Sequence, residues 1–266
     1  MNTAKLLMQL SKTIDKNRDY AVCVSGGVDS VTTVVALKSI LPSDRLLAVH
    51  AFGPSVPSKD TLDTQTICNK NNIQLKMVSS SDLVGESYLS NPINRCYFCK
   101  FGLFNEIQAL YPDHILVTGT NLSDKSDFRP GLKAAREYNV FEPLAKLKLC
   151  KNEVRVLAKE LGLDYFSTKP SSPCLASRIE TGIKIDEKVL MKIDEIETQI
   201  KSKYNIHTVR LRLRKQGYFL EIVPEEFSSG SEHVITEIEN FLKIQITDMK
   251  FCGISKYKMG SAFLNV

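Results

Sequence analysis

Short apolar runs separated by helix-length segments set the pattern of the first half of the chain. Leu6, Leu7, Leu10 and Ile14 recur at helical spacing, and Tyr20-Ala21-Val22-Cys23-Val24 then forms an unbroken apolar run. Similar runs occupy Leu46 to Ala51, Ile73 to Val78 and His114 to Thr118. A strand that is apolar on both faces is what a parallel sheet covered by helices on each side requires. Helical patterns at Val31 to Ile40, Lys59 to Asn71 and Phe101 to Leu110 fall between the runs. Strand and helix therefore alternate, and the alternation predicts a doubly wound parallel α/β sheet.

The second half is patterned differently. Asn152 to Leu161 reads as a helix stopped by Gly162, and the stretch from Ser167 to Ser177 is rich in Ser, Pro and Lys. That stretch marks a boundary between a nucleotide-scale domain at residues 1–170 and a smaller C-terminal α+β domain at 171–266. In the latter, Ile185 to Tyr204 predicts a helix, Ile206 to Leu213 and Tyr218 to Val223 a hairpin around Gln216-Gly217, Glu232 to Leu242 a helix, and Ile244 to Cys252 a final strand. Every second residue of Val209-Arg210-Leu211-Arg212-Leu213-Arg214 is arginine, so a strand there turns Arg210, Arg212 and Arg214 to one face. With Gln216-Gly217 as a two-residue turn, Leu213 pairs with Leu220 and Arg212 with Glu221. The arginine face is either a solvated one or a seat for a substrate phosphate, which guanidinium forks fit. Arg178, close in sequence to Cys174, joins that set. Arg129 either contacts substrate or braces its own loop.

Composition narrows the partners. At 266 residues and 43% hydrophobic content, the chain can build one large core and a smaller second one. The net charge of +5, from 35 basic and 30 acidic residues, suits anionic small molecules. It permits RNA without implying it, because no concentrated basic stripe is present. No leader pattern opens the sequence and no apolar run reaches membrane-spanning length, so a cytoplasmic protein without a membrane partner is expected. Seven cysteines in a chain with a full core point to reduced thiols, catalytic or metal-binding, rather than to a disulfide framework.

The sharpest motif is Ser25-Gly26-Gly27-Val28-Asp29-Ser30, set between the strand ending at Val24 and a helix opening near Asp29. Bare backbone N–H groups and a helix dipole there form an anion cradle. No Gly-Lys-Ser/Thr ending follows, so this is not a Walker loop. The six residues resemble the signature of the N-type ATP pyrophosphatases, whose Rossmann-like domain grips the pyrophosphate of ATP and transfers AMP. The resemblance implies that Ser25, Gly26, Gly27 and Ser30 hold pyrophosphate oxygens and that Asp29 lies near Mg2+. Ligands of such sheets lie beyond the carboxyl ends of the strands, which puts adenine near Ala51 and Phe52. Gly119-Thr120-Asn121, after the fourth run, faces the same crevice, with Gly119 either an ATP contact or a simple turn.

Cys96-Tyr97-Phe98-Cys99 opens a helical stretch, where the dipole favours thiolate, and Cys174 lies in the boundary segment. Three thiols fall one short of a structural zinc site, but they can hold a 4Fe-4S cluster and leave one iron open for a labile sulfide. A redox pair, half a zinc knuckle, or a separate Cys174 nucleophile remain alternatives. Cys23, Cys68, Cys150 and Cys252 lack paired spacing and read as ordinary core or surface residues.

Gly119-Thr120-Asn121, Asp127-Phe128-Arg129-Pro130-Gly131-Leu132, Pro143-Leu144, Glu153-Val154-Arg155 and Pro173-Cys174-Leu175-Ala176-Ser177-Arg178 occur in the order found in the LarE family, and Tyr257 to Ser261 matches it loosely. The chain thus resembles ATP-dependent sulfur transferases of nickel-pincer nucleotide biosynthesis. The resemblance implies adenylation of a carboxylate on pyridinium biscarboxylic acid mononucleotide, attack by sulfur from sulfide or another donor, and a homo-oligomer. Cys174 occupies the place of the cysteine that sacrificial members consume, whereas Cys96 and Cys99 are similar to those of cluster-binding members. A tRNA thiolase with a similar loop and three cysteines is the second reading, and a sulfide carrier that merely binds nucleotide is the third.

Overall fold

In the computed structural model, which describes residues 3–126, 130–227 and 232–257, the four apolar runs become β1 (Tyr20–Cys23), β2 (Leu46–Phe52), β3 (Gln74–Ser79) and β4 (Ile115–Val117). They pair in parallel in the order β3-β2-β1-β4. In chain order the helices of this half are α1 (Thr3–Ser11), α2 (Val28–Lys38), α3 (Ser58–Lys70), α4 (Glu86–Leu89), α5 (Arg95–Leu110), α6 (Gly131–Glu137), α7 (Pro143–Lys146), α8 (Lys151–Glu160) and α9 (Asp164–Thr168), of which α4 belongs to the second unit described below. Alternate strand residues enter different cores. Tyr20, Val22, Leu46 and Ala48 pack with Val31 and Val34 of α2 and with Val154 and Leu157 of α8. Ala21, Cys23, Leu47 and Val49 pack with Phe104 and Ile107 of α5 and with Ala134 of α6. Each face thus needs its own apolar set, which is why the runs are unbroken. Each large aliphatic side chain so buried contributes about 1.5–3 kcal/mol.

The chain divides into two compact units. The first is Met1–Gly85 with Asn94–Ser172, and the second is Pro173–Val266 with Glu86–Ile93. In the second, α10 (Glu187–Tyr204), β5 (Val209–Arg214), β6 (Gly217–Ile222), α11 (Glu232–Gln245) and β7 (Phe251–Lys256) follow the expected α-β-β-α-β order. Asp186 caps α10 by accepting from the N–H groups of Lys188 and Val189, and Asn205 ends it in the left-handed conformation. The small sheet runs β5-β6-β7, antiparallel then parallel. Asn91 ties Glu86–Ile93 into this unit, its buried amide donating to the carbonyls of Glu180 and Ile183.

Two local expectations are corrected. The hairpin turns at Lys215-Gln216, so Arg210 faces Glu221, Leu211 faces Leu220 and Arg212 faces Phe219. The shift is two residues, which keeps every side chain on its expected face. At the C-terminal end, α11 extends to Gln245 and the last strand begins only at Phe251. Ile238, Leu242 and Ile246 are buried at four-residue spacing while Ile244 is 72% exposed, so the period that governs this stretch is helical and not the alternation of a strand.

Among the described residues, no helix is long and apolar enough to cross a membrane. No disulfide links the seven cysteines. Cys23 and Cys68 are core residues, and burial pushes each thiol up to about 11.

Candidate active site

The loop from Ser25 to Ser30 joins β1 to α2 at the point where the sheet order reverses, with β2 on one side of β1 and β4 on the other. In open α/β sheets ligands bind at such switch points, beyond the carboxyl ends of the strands. Ser30 Oγ organises the loop: it accepts from the Ser25 N–H at 3.0 Å, lies 3.2 Å from Ser25 Oγ, and donates to the Gly27 carbonyl at 3.1 Å. The first backbone bond of α2 runs from the Val31 N–H to the Gly27 carbonyl, so the N–H groups of Val28, Asp29 and Ser30 lie ahead of the helical ladder. Gly26 has φ +78°, and a Cβ there would lie 2.6 Å from the Asp60 carbonyl oxygen. Both the left-handed backbone and the close approach of α3 require glycine.

Gly119 proves to be a second close approach. A Cβ on it would lie 2.6 Å from the Ser30 nitrogen and 2.7 Å from the Asp29 carbonyl carbon, so the segment after β4 rests on the first turn of α2. Two residues on, the Asn121 amide donates to Asp29 Oδ1 at 3.2 Å. Asn121 is held in turn by reciprocal bonds with Asp124, each side chain accepting from the other's N–H. The second oxygen of Asp29 pairs with the Lys151 ammonium from the first turn of α8. Asp29 is therefore a carboxylate on which two segments converge, with a cation on one oxygen. Mg2+ beside phosphate usually takes one or two carboxylates, and here both oxygens of Asp29 already carry an N–H donor that a metal ion would have to replace. Ala51 is half-buried and Phe52 is 40% exposed at the carboxyl end of β2.

Lys151 was not evident from sequence; nor was Lys169, whose buried ammonium lies 2.9 Å from the Gly26 carbonyl, 2.7 Å from Asp60 and 2.6 Å from Asp63. His50, also buried, lies 2.7 Å from the Val24 carbonyl through Nδ1 and 3.0 Å from Thr61 Oγ1 through Nε2. A carbonyl can only accept, so Nδ1 carries the proton and Nε2 accepts from the threonine. Burial holds this imidazole below its usual pKa and hence neutral, a brace for the strand end that precedes the loop.

In the second unit the predicted residues Arg178, Arg210, Arg212 and Glu221 are brought together with a residue that no sequence pattern singles out, Glu197 of α10. Arg178 forms a two-pronged pair with Glu197 at 2.9 Å on both oxygens, and its remaining nitrogen donates to the carbonyls of Pro173 (2.7 Å) and Cys174 (3.3 Å). Glu197 also accepts from the Leu211 N–H and pairs with Lys201 and Arg210. Arg212 and Arg214 flank Glu221 at 2.9 and 3.1 Å. Arg210 and Arg212 are 4% and 5% exposed, so the alternation does not mark a solvated face. In these pairs five basic side chains share two carboxylates, an excess of positive charge suited to an anion. Arg129 lies outside the described residues, as does the Asp127-Phe128 part of its motif.

The three candidate cluster cysteines are divided between the units. Cys96 and Cys99 lie half-buried in the first turn of α5, one helical turn apart and hence on one face, in the first unit. Cys174 is exposed in the second, just before the short helical turn Leu175–Arg178. Among the described residues, neither unit by itself gathers three His, Cys, Asp or Glu side chains as a metal site. A set of three thiols has the donor chemistry of an iron–sulfur cluster rather than of a hard cation.

A parallel sheet carrying Ser-Gly-Gly-Val-Asp-Ser at its first strand-to-helix turn, with glycine again where the segment after β4 rests on that helix, places the chain in the PP-loop ATP pyrophosphatase superfamily. No family model matches the sequence. An uncharacterized protein of Synechocystis sp. is 30% identical over 234 residues, covering 85% of this chain and 86% of the relative. One from Methanocaldococcus jannaschii is 28% identical over 231 residues, covering 86% and 85%. The pyridinium-3,5-bisthiocarboxylic acid mononucleotide synthase of Lactiplantibacillus plantarum is 25% identical over 204 residues, covering 76% of this chain and 73% of that one. Within the superfamily, the chain belongs to the family of the Synechocystis protein.

Proposed function

We propose that the protein is an ATP-dependent sulfur transferase that activates a carboxylate of a pyridinium mononucleotide and converts it to a thiocarboxylate. The observation that carries this reading is the Asp29 carboxylate, held by Asn121 and Lys151 at the mouth of the glycine loop. The likeness to the Lactiplantibacillus synthase supports the choice of acceptor. A carboxylate oxygen attacks the α-phosphorus of ATP, pyrophosphate leaves into the Ser25–Ser30 cradle, and the acyl adenylate then loses AMP to an attacking sulfur. AMP is a far better leaving group than oxide, so the first step lowers the barrier of the second.

Ser25, Gly27 and Ser30 would bind the pyrophosphate, Asp29 would hold Mg2+, and Lys151, released from Asp29, would neutralise a phosphate oxygen. Ala51 and Phe52 would border the adenine. Arg178, Arg210, Arg212 and Arg129 would serve the substrate phosphate, with Glu221 fixing the guanidinium of Arg212. Cys96, Cys99 and Cys174 would ligate a 4Fe-4S cluster, which when bound supplies a replaceable sulfide. The alternative is that Cys174 gives up its own sulfur.

Pyrophosphate release should depend on added pyridinium biscarboxylic acid mononucleotide; release without any acceptor removes the reading, and release that needs tRNA instead favours the thiolase. Protein purified without oxygen should contain iron and sulfide, and Cys96→Ala, Cys99→Ala or Cys174→Ala should each lose them. A Cys174 peptide lighter by one hydrogen sulfide after turnover, with Cys96→Ala still active, would instead establish the sacrificial route. Gly119→Ala should cost about 100-fold in kcat/KM for ATP, because the added methyl meets backbone of the loop's own helix and displaces it.

A further inference from the structure

The ammonium of Lys169 has three protons and three acceptors. It donates to Asp60 Oδ1 at 2.7 Å, to Asp63 Oδ2 at 2.6 Å and to the Gly26 carbonyl at 2.9 Å. Its side chain is 9% exposed and the two carboxylates are 4% and 6% exposed. An ammonium so saturated has no donor left for a ligand. One of the two carboxylates is itself fixed further: Asp63 also accepts from Lys59 at 2.5 Å and from the Tyr165 hydroxyl at 3.0 Å. The backbone of Lys169 is held as well, because Arg155 donates to the carbonyls of Ser167 and Lys169. Burial alone would lower the pKa of this amine, but Asp60 and Asp63 carry it above the usual lysine value, so it stays charged.

The one neutral acceptor in that set is the informative one. The Gly26 carbonyl belongs to the Gly26–Gly27 peptide, and in a trans peptide the carbonyl and the following N–H point in opposite directions. An ammonium that grips the Gly26 oxygen therefore aims the Gly27 N–H away from itself, on the opposite side of the loop strand. Between two glycines, rotation of that peptide meets no side chain of its own, so sequence alone does not fix its orientation. The reversed orientation would present a carbonyl oxygen where the loop must present a donor.

We propose that Lys169 is a positioning residue that latches the Gly26–Gly27 peptide in the orientation in which the Gly27 N–H is a donor to the pyrophosphate of ATP. The inference rests on the ATP reading given above and assigns Lys169 a role distinct from that of Lys151. One lysine orders the cradle without touching the anion; the other is free to move onto it.

The test is a split between ligands. Lys169→Arg keeps a charge between Asp60 and Asp63, but a planar guanidinium does not reproduce three tetrahedral donors. Titration calorimetry on the folded variant should show affinity for pyrophosphate and for ATP reduced about tenfold or more, the loss expected of one donor to a charged group. Affinity for AMP, which lacks the pyrophosphate, should stay within about twofold, whereas a general loss of structure would weaken all three. A folded Lys169→Arg protein that binds pyrophosphate and ATP as the wild type does overturns the latch. A structure of the wild-type protein with a non-hydrolysable ATP analogue tests it without any substitution. Lys169 Nζ on the Gly26 carbonyl with the Gly27 N–H on a phosphate oxygen supports the latch; Lys169 Nζ on a phosphate oxygen, or a reversed peptide, overturns it. Wild-type protein that binds neither ATP nor pyrophosphate would bring down the ATP reading itself, and the latch with it.

Discussion

Asp29→Ala should reduce acceptor-dependent pyrophosphate release by about 100- to 1000-fold, the scale seen when a group placed for developing charge is removed from an active site. The melting temperature should hardly change. Asp29 sits on the first turn of α2 with its carboxylate turned to Lys151 and Asn121 rather than into either hydrophobic cluster. Its ionic partner is 38% exposed, so the orphaned ammonium can hydrate, and a pair of that exposure is worth at most about 1 kcal/mol. Function and stability should therefore separate: a stopped assay for pyrophosphate and a thermal melt on the same sample decide it. Unchanged release would remove Asp29, and with it the metal-binding reading of the loop.

Glu197→Gln should behave in the opposite way, costing about 3–5 kcal/mol of stability in urea unfolding at neutral pH. Both partners of the Arg178–Glu197 pair are 1% exposed, and the glutamine would leave a buried guanidinium without its counter-charge. Burial alone would raise the Glu197 pKa from 4.5, but Arg178, Lys201 and Arg210 carry it down to about 2. A carboxylate whose folded value is depressed stabilises the fold fully above its unfolded value and loses that contribution as the pH falls through the folded one. Wild-type stability should thus decline between about pH 4.5 and pH 2, and the glutamine variant should lack that component. Equal acid profiles for the two proteins would mean that the network carries little of the fold's stability.

What could be read from sequence was contiguous. Ser25 to Ser30 is six adjacent residues, and its cradle chemistry is local; the same holds for the four apolar runs of the sheet, whose composition reflects helices on both faces. What could not be read was the pairing of distant charges. Lys169 meets Asp60 across 109 residues and Gly26 across 143, and nothing in the local pattern of a Ser- and Pro-rich stretch singles out one lysine. Glu197 hides in the same way, since a glutamate in a long charged helix reads as surface until β5 is laid against it. The arginine alternation gave the right faces but not their environment: periodicity reports which residues share a side, whereas burial depends on what covers that side. Ile244 to Ile246 failed for a related reason, two isoleucines two apart being compatible with either period until Leu242 and Ile238 are added.

The path of the chain bears on how this protein can be cut. Because Glu86–Ile93 is built into the second unit, the polypeptide passes between units three times, after Gly85, after Ile93 and after Ser172. A stop codon after Ser172 would not yield a tidy nucleotide-binding fragment. It would leave Asn91 without the carbonyls of Glu180 and Ile183, stranding a buried amide in a loop that ends next to α5 and its two cysteines. Truncation libraries and split-protein fusions should accordingly find few soluble halves, and a gene encoding the second unit alone would need the Glu86–Ile93 segment grafted back to complete it.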